Sequence, residues 1–157
     1  FCKRKFKKEI NMKINPQHGI DQLVFGMKQK DVEGIYGKPE KQFKDDDQNI
    51  IYVYNAPQLR LTFYEDEEFK LGYLIASHPE LQLSDKKIIG SKPSEVKEVL
   101  THKSYKTWEQ EDFDMTENHF NEANWIILQS EFGKIIKVEL GAVINDKDEI
   151  DWKFKSK

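Results

Sequence analysis

From Met27 the apolar positions follow a helical period. Val32, Ile35 and Tyr36 stand at i, i+3 and i+4, the spacing that lines one face of a short helix. Gly37 sits where a left-handed C-terminal cap is wanted, and Pro39 forbids continuation. Gly34 inside the helix costs about 1 kcal/mol relative to alanine, which predicts that a sheet approaches that face closely. Lys44 to Asn49 is a polar turn, and beyond it the period changes to two. "NIIYVYN" is β-branched and aromatic. "LRLTFYE" alternates, with Leu59, Leu61 and Phe63 on one face. Glu65 to Glu68 form a charged hairpin tip, and "FKLGYLIA" alternates again through Phe69, Leu71, Tyr73 and Ile75. The expected order is one helix followed by a three-stranded antiparallel meander.

The pattern then restarts. His78 to Lys87 reads as a linker. Beyond it, Gly90 precedes Val96 by six residues, as Gly26 precedes Val32, and Val99 and Leu100 answer to Ile35 and Tyr36. The offset is 64 residues throughout. Ser91 is placed to cap the second helix, and Pro93 is tolerated in its first turn. Strands recur as "ANWIILQSEFG" and "KIIKVELGAVI", and the intervening "YKTWEQEDFDMTENHFNE" has room for one more. An internal duplication sets the fold before any other consideration. The expected class is α+β: two tandem units, each a short helical segment packed on an antiparallel β-meander. The expected divisions are a basic tail over residues 1–15, a first unit over 16–80 and a second over 81–157. The strand edges near 126–130 and 150–154 are expected to be able to pair between chains.

Composition fits a folded domain: of 157 residues, 38% are hydrophobic and 34% charged. No apolar run approaches the roughly 18 residues needed to cross a bilayer as a helix. The single Cys2 excludes an internal disulfide and a cysteine-based zinc site. The opening Phe1 is expected of a cleaved or trimmed chain. Three readings suit the start, "FCKRKFKK": a solvated basic tail, the basic flank of a removed apolar membrane segment, or a lipid-bearing Cys2 near a processing site. Six basic side chains against Glu9 set the first 13 residues at +5, so the remaining 144 carry −8 of a net −3. An acidic body argues against nucleic acid, whose phosphates need a basic face, and suits a cationic protein partner.

Catalytic chemistry is not written in the chain. The histidines, His18, His78, His102 and His119, lack helical metal spacing and are expected at the surface or in turns. His102, near the end of the second helix, is placed to act as a cap charge. No serine has a nucleophile-elbow context, and no acidic cluster has the central glycine of a calcium loop. No cofactor, no metal and no catalytic residue is therefore expected. The segment in which the second copy is longer than the first is the candidate partner-binding site: Tyr105, Trp108, Glu109, Glu111, Asp112, Phe113 and Asp114. Aromatic anchors among acids are what a hot-spot surface for a basic partner needs.

"FGMKQKDVEGIYGKPE", with "YVY" and "LRLTFYEDEEFKLGYL" behind it, resembles the SmpA/OmlA (BamE-like) lipoproteins. The shared pattern is Gly-Met, a helix carrying Val, Gly-x-Pro, a Tyr-x-Tyr strand and a Leu-x-Leu-x-Phe strand. It covers residues 20–76 well and 87–145 loosely, and departs at Lys28, where those proteins usually carry a threonine cap. The β-lactamase-inhibitor-protein fold is built from two tandem copies of a similar unit. The resemblance implies binding rather than catalysis: an inhibitor or immunity-type protein that neutralises a cognate toxin or enzyme by occlusion. The alternative is an accessory or scaffold domain of the cell envelope. Either implies a bacterial envelope, periplasmic or extracytoplasmic location, with a cytoplasmic one as the alternative, and membrane contact only through a removed N-terminal anchor.

Overall fold

The computed structural model describes residues 12–154. The expectations for residues 1–11, Cys2 included, lie outside the described residues. Residues 12–15 belong to the folded body rather than to a tail: Met12 and Ile14 are buried, and Ile14–Asn15 form β1. β2 (Gly19–Ile20) and β3 (Leu23–Val24) complete a small antiparallel sheet with it. Helix α1 spans Gln29–Tyr36. Strands β4 (Lys41–Lys44), β5 (Ile50–Tyr54), β6 (Leu59–Tyr64) and β7 (Lys70–Ala76) follow. β8 (Gln82–Leu83) and β9 (Lys86–Lys87) form a hairpin, and α2 spans Pro93–Val99. The chain then builds β10 (Glu109–Asp112), β11 (Thr116–Asn121), β12 (Ile126–Glu131) and β13 (Lys134–Gly141).

The sheet corrects the expected architecture. The long strands are not two separate meanders under two helices. They form one eight-stranded antiparallel sheet in the order β10-β11-β12-β13-β7-β6-β5-β4. The join is the β7–β13 pairing, where Ala76 meets Val138 and Leu74 meets Leu140. Apolar residues line both central strands, so merging them buries what two free edges would have exposed. The molecule is predominantly β, with helices of only eight and seven residues. Two strands in the sheet escaped the pattern. β4 is fully exposed and carries no alternation, and "YKTWEQEDFDMTENHFNE" holds two strands rather than one. The expected linker is also structural, because Leu81 and Leu83 are buried around the β8–β9 hairpin.

Register decides which side chains share a face, since successive residues of a strand point to opposite sides. Tyr52 pairs with Leu61, Leu61 with Leu74, Leu74 with Leu140 and Leu140 with Ile126. This inner face joins Met12, Ile20, Leu23, Phe25, Val32, Leu81, Ile88 and Val96 in one buried core. Arg60, Ile75, Glu139, Ile127, Phe120 and Glu109 form a row across the other face. Each of these outer residues is half-buried or exposed.

The helices are set by acids three residues in. The Lys28 amide donates to the Asp31 carboxylate at 3.0 Å, and the Lys92 amide to Glu95 at 2.9 Å. Each carboxylate satisfies an orphan N–H of the first turn. Ser91 does not cap α2 as expected; its hydroxyl donates to the Lys87 carbonyl at 2.8 Å. Pro93 takes the first helical position, where its missing N–H costs nothing. Val32 and Val96 are the fully buried apolar contacts of the two helices.

The expected close approach at Gly34 is absent. A Cβ built there meets nothing within 4 Å, and the residue is exposed. Gly34→Ala is therefore expected to stabilise the protein by about 0.5–1 kcal/mol, by removing backbone freedom from the unfolded chain. A urea midpoint that falls on this substitution would contradict the open environment.

Candidate functional site

The seven residues singled out from sequence divide between two environments. Tyr105 and Trp108 pack inward against the core. The Trp108 indole N–H donates to the Tyr105 carbonyl at 2.5 Å, and the Lys97 ammonium lies 5.2 Å from its ring centroid. These two aromatics fasten the chain between α2 and the sheet. Glu109, Glu111, Asp112, Phe113 and Asp114 are exposed on β10 and at the tip that follows it. The register sets Glu109 opposite Phe120 and Glu111 opposite Asn118, on the outer face, and Asp112 opposite Glu117, on the helix side.

The segment entering β10 is held by a buried amide pair that the sequence did not reveal. Asn121, at 0% exposure, donates to the carbonyls of Ser104 (2.8 Å) and Thr107 (3.1 Å). Its own carbonyl accepts from the backbone amide of Asn124 at 3.1 Å and its side chain at 3.0 Å. The Asn124 side chain also donates to the Ser104 hydroxyl at 3.0 Å. His102, expected to act as a cap charge near the end of α2, instead receives the Ser104 amide on Nδ1 at 3.1 Å. The backbone polar groups of residues 104–107 thus find partners away from any ladder.

Two hairpin tips meet at one end of the sheet. The Phe113 amide closes the β10–β11 tip on the Thr116 carbonyl at 2.8 Å. The β12–β13 tip turns through Phe132 and Gly133, both at positive φ. Phe113 is 53% exposed, Met115 59% and Phe132 78%. All three line a recess of about 380 Å³ with Asp112, Asp114 and Glu117. Ser130, fully buried, also lines it, and its hydroxyl has no hydrogen-bond partner among the described residues. A second recess, also about 380 Å³, lies on the outer face between Glu109, Glu111, Asn118, Phe120, Trp125 and Ile127. There Trp125 stacks edge-on against Phe120 (5.3 Å) and Tyr73 (5.9 Å). Phe132 was the missed member of the tip. Its signal, "EFGK" between two alternating strands, reads as an ordinary hairpin until the neighbouring tip is placed beside it.

His119 is not at the surface as expected; it is 5% exposed. Its Nδ1 lies 2.9 Å from the Lys97 ammonium and its Nε2 3.2 Å from Glu117. Burial, then the Lys97 charge, pushes the imidazole below its ordinary range; Glu117 acts in the opposite sense. Burial likewise lowers Lys97. A neutral ring accepts from Lys97 and donates to Glu117. The unfolded chain takes up this proton near pH 6.5, while the folded chain resists it. The His119 contribution to stability is complete above that pH and is lost as pH falls below it. His119→Gln is expected to flatten the drop in urea midpoint between about pH 7.5 and 5. An unchanged slope would show that the ring titrates freely. Among the described residues no group of three His, Cys, Asp or Glu side chains is disposed to hold a metal ion.

No family model matches the chain, and no curated protein does. Solved structures do. A cysteine-rich secretory protein from Staphylococcus aureus is 16% identical at a TM-score of 0.50, over 84% of this chain and 49% of its own. A DUF4309 family protein, YjgB, from Bacillus subtilis is 14% identical at a TM-score of 0.50, over 81% and 85%. An extracellular SCP-domain protein from Bacillus anthracis is 12% identical at a TM-score of 0.48, over 74% and 43%. The chain spans less than half the length of the Staphylococcus aureus and Bacillus anthracis proteins. No helix among the described residues is long and apolar enough to cross a membrane. The large sheet and its likeness to the Staphylococcus protein overturn the expectation of two tandem helix-on-meander units, and the fold alone is what this chain shares with that protein.

Proposed function

We propose that the chain is a bacterial, extracytoplasmic protein-binding domain that neutralises a cognate toxin or enzyme by covering its active site. The observation that carries this reading is the exposed apolar cluster of Phe113, Met115 and Phe132, ringed by Asp112, Asp114 and Glu117. Exposed aromatics that converge on one recess serve as anchors, and rim acids steer and pair with lysine or arginine. The partner therefore has a basic surface. Glu109 and Glu111 extend the acidic rim along β10 to the outer face. Tyr105 and Trp108 hold the hairpin in place rather than entering the partner. The mechanism is steric, without cofactor or covalent chemistry.

A second reading, an envelope accessory or scaffold domain, draws on the secretory and extracellular descriptions of the structural neighbours. One experiment separates the two. The protein encoded beside this chain is purified, and its affinity for the chain is measured by calorimetry. Phe113→Ser with Phe132→Ser is expected to weaken that affinity by about 100-fold or more. Both residues are exposed, so stability should hold. An affinity unchanged by the pair rejects the tip as the site. A neighbour that neither binds nor is inhibited, with the chain found in membrane fractions, favours the scaffold.

A further inference from the structure

The two ends of the large sheet carry opposite charge. The edge strand β4 reads Lys41-Gln42-Phe43-Lys44, and the edge strand β10 reads Glu109-Gln110-Glu111-Asp112. All eight side chains are exposed. Among the described residues, Lys41, Lys44, Glu109 and Glu111 take part in no ion pair, and no strand pairs beyond either edge. Each edge presents backbone N–H and C=O groups that want partners. We propose that these edges pair between copies of this chain, β4 of one with β10 of the next, so that sheets add head to tail.

Strand direction supports this arrangement. All seven pairings in the sheet are antiparallel, so eight strands alternate and the two edges run opposite ways. A second copy set beside the first in the same orientation brings its β10 antiparallel to β4, with the same face outward. Lys41 and Phe43 lie on the outer face, opposite Val53 and Ile51. Glu109 and Glu111 lie there too, opposite Phe120 and Asn118. Matching the faces sets Lys41 against Glu111, Gln42 against Gln110, Phe43 against Glu109 and Lys44 against Trp108. Opposite charges directly across a ladder stabilise it, and like charges oppose it. One like-charge pair, Glu40 against Asp112, falls at the end, where Glu40 already accepts from the Asn55 amide at 2.6 Å.

Symmetric pairing of the acidic edge fails on the same ground: with faces matched, β10 against β10 sets Glu109 against Glu111. β4 against β4 sets Lys41 against Phe43 and brings no acid of β10 to either lysine, so the opposite signs favour β4 with β10. A head-to-tail contact leaves a free edge on each added copy, so further copies can join the product. Of the edges expected from sequence, that near 126–130 is not available, because β12 is paired on both sides, and residues 150–154 belong to no strand of the large sheet, with Ile150 in an isolated bridge to Ile144.

Sedimentation velocity on the chain tests this without reference to the partner proposed above. At about 0.01 M salt, where screening extends about 30 Å, the weight-average mass should rise with concentration to at least about twice that of one chain. At about 1 M salt, where screening falls to about 3 Å, it should return to one chain. Lys41→Glu with Lys44→Glu, and separately Glu109→Lys with Glu111→Lys, should each stay single. Mixed in equal amounts, the two variants should assemble, since each then meets an edge of opposite sign. A native chain that stays single at every concentration overturns the proposal, as does a variant that assembles like the native chain. Failure of the mixture, with both variants native by circular dichroism, also overturns it. Should a reversal unfold, Lys41→Gln and Glu111→Gln are read in the same way.

Discussion

Phe63→Ala is expected to cost about 3–5 kcal/mol, the range for truncating a fully buried phenylalanine. Phe63 is 0% exposed and lies on the inner face, opposite Ile50 on one side and Leu71 on the other. Its ring meets Tyr52 edge-on at a centroid distance of 4.9 Å. Truncation removes that contact and leaves a cavity beneath the middle of the sheet, where paired strands on both sides restrict collapse. A domain of this size is stable by only about 5–15 kcal/mol, so the loss approaches the whole margin. The urea midpoint should fall sharply with little change in slope. Phe63→Leu, which keeps most of the volume, should cost distinctly less. Equal losses for the two would mean that the ring contributes through something other than packing.

Asn121→Ala is expected to cost about 2–4 kcal/mol, by stranding buried partners rather than by opening a cavity. The carbonyls of Ser104 and Thr107 lose their donor, and Asn124 loses the acceptor of its backbone and side-chain amides. Asn124 and the Asn121 position are buried, so the amides of Asn124 lose their acceptor without replacement. The loss should be local in character. The segment from Ser104 to Trp108 should loosen, and the Trp108 contribution to the near-ultraviolet signal should weaken before the sheet unfolds. Asn121→Asp retains an acceptor for Asn124 but aims carboxylate oxygen at two carbonyls, so it should not rescue. An aspartate variant as stable as the native chain would refute the amide clamp. The clamp bears on the candidate site because residues 104–108 lead directly into β10, whose tip carries Phe113.

Parts of this structure were legible in the chain because they rest on local physics. The helical spacing of Val32, Ile35 and Tyr36 and the stop at Gly37 and Pro39 specify α1 within a residue or two. The alternation through Leu59, Leu61 and Phe63 specifies a strand and its buried face. Gly26 and Gly90, 64 residues apart, both take positive φ ahead of their helices. The exposed acids at 109, 111, 112 and 114 were legible as well, since a dense run of carboxylates favours water over a core. Tyr105 and Trp108 read differently once folded. An aromatic among acids has the same local pattern whether it faces a partner or its own core, and only α2 packing above it decides. His119 and Asn121 follow the same logic, because a polar residue in a strand reads as exposed until a buried partner is brought to it.

By itself the sequence determined the existence of both helices and the stop of α1, which face of most strands is apolar, and that the folded body is acidic. Each of these depends on neighbours within a few residues, through backbone conformation, side-chain period and charge. Tertiary structure alone decided that the strands merge into one sheet, because the pairing of β7 with β13 joins residues more than 60 positions apart and no local signal encodes it. It alone brought Phe132 beside Phe113 and Met115. It also set a basic edge and an acidic edge at opposite ends of the same sheet. Those juxtapositions follow from strand order, which is fixed by the total burial the chain can reach, and every functional proposal above rests on them.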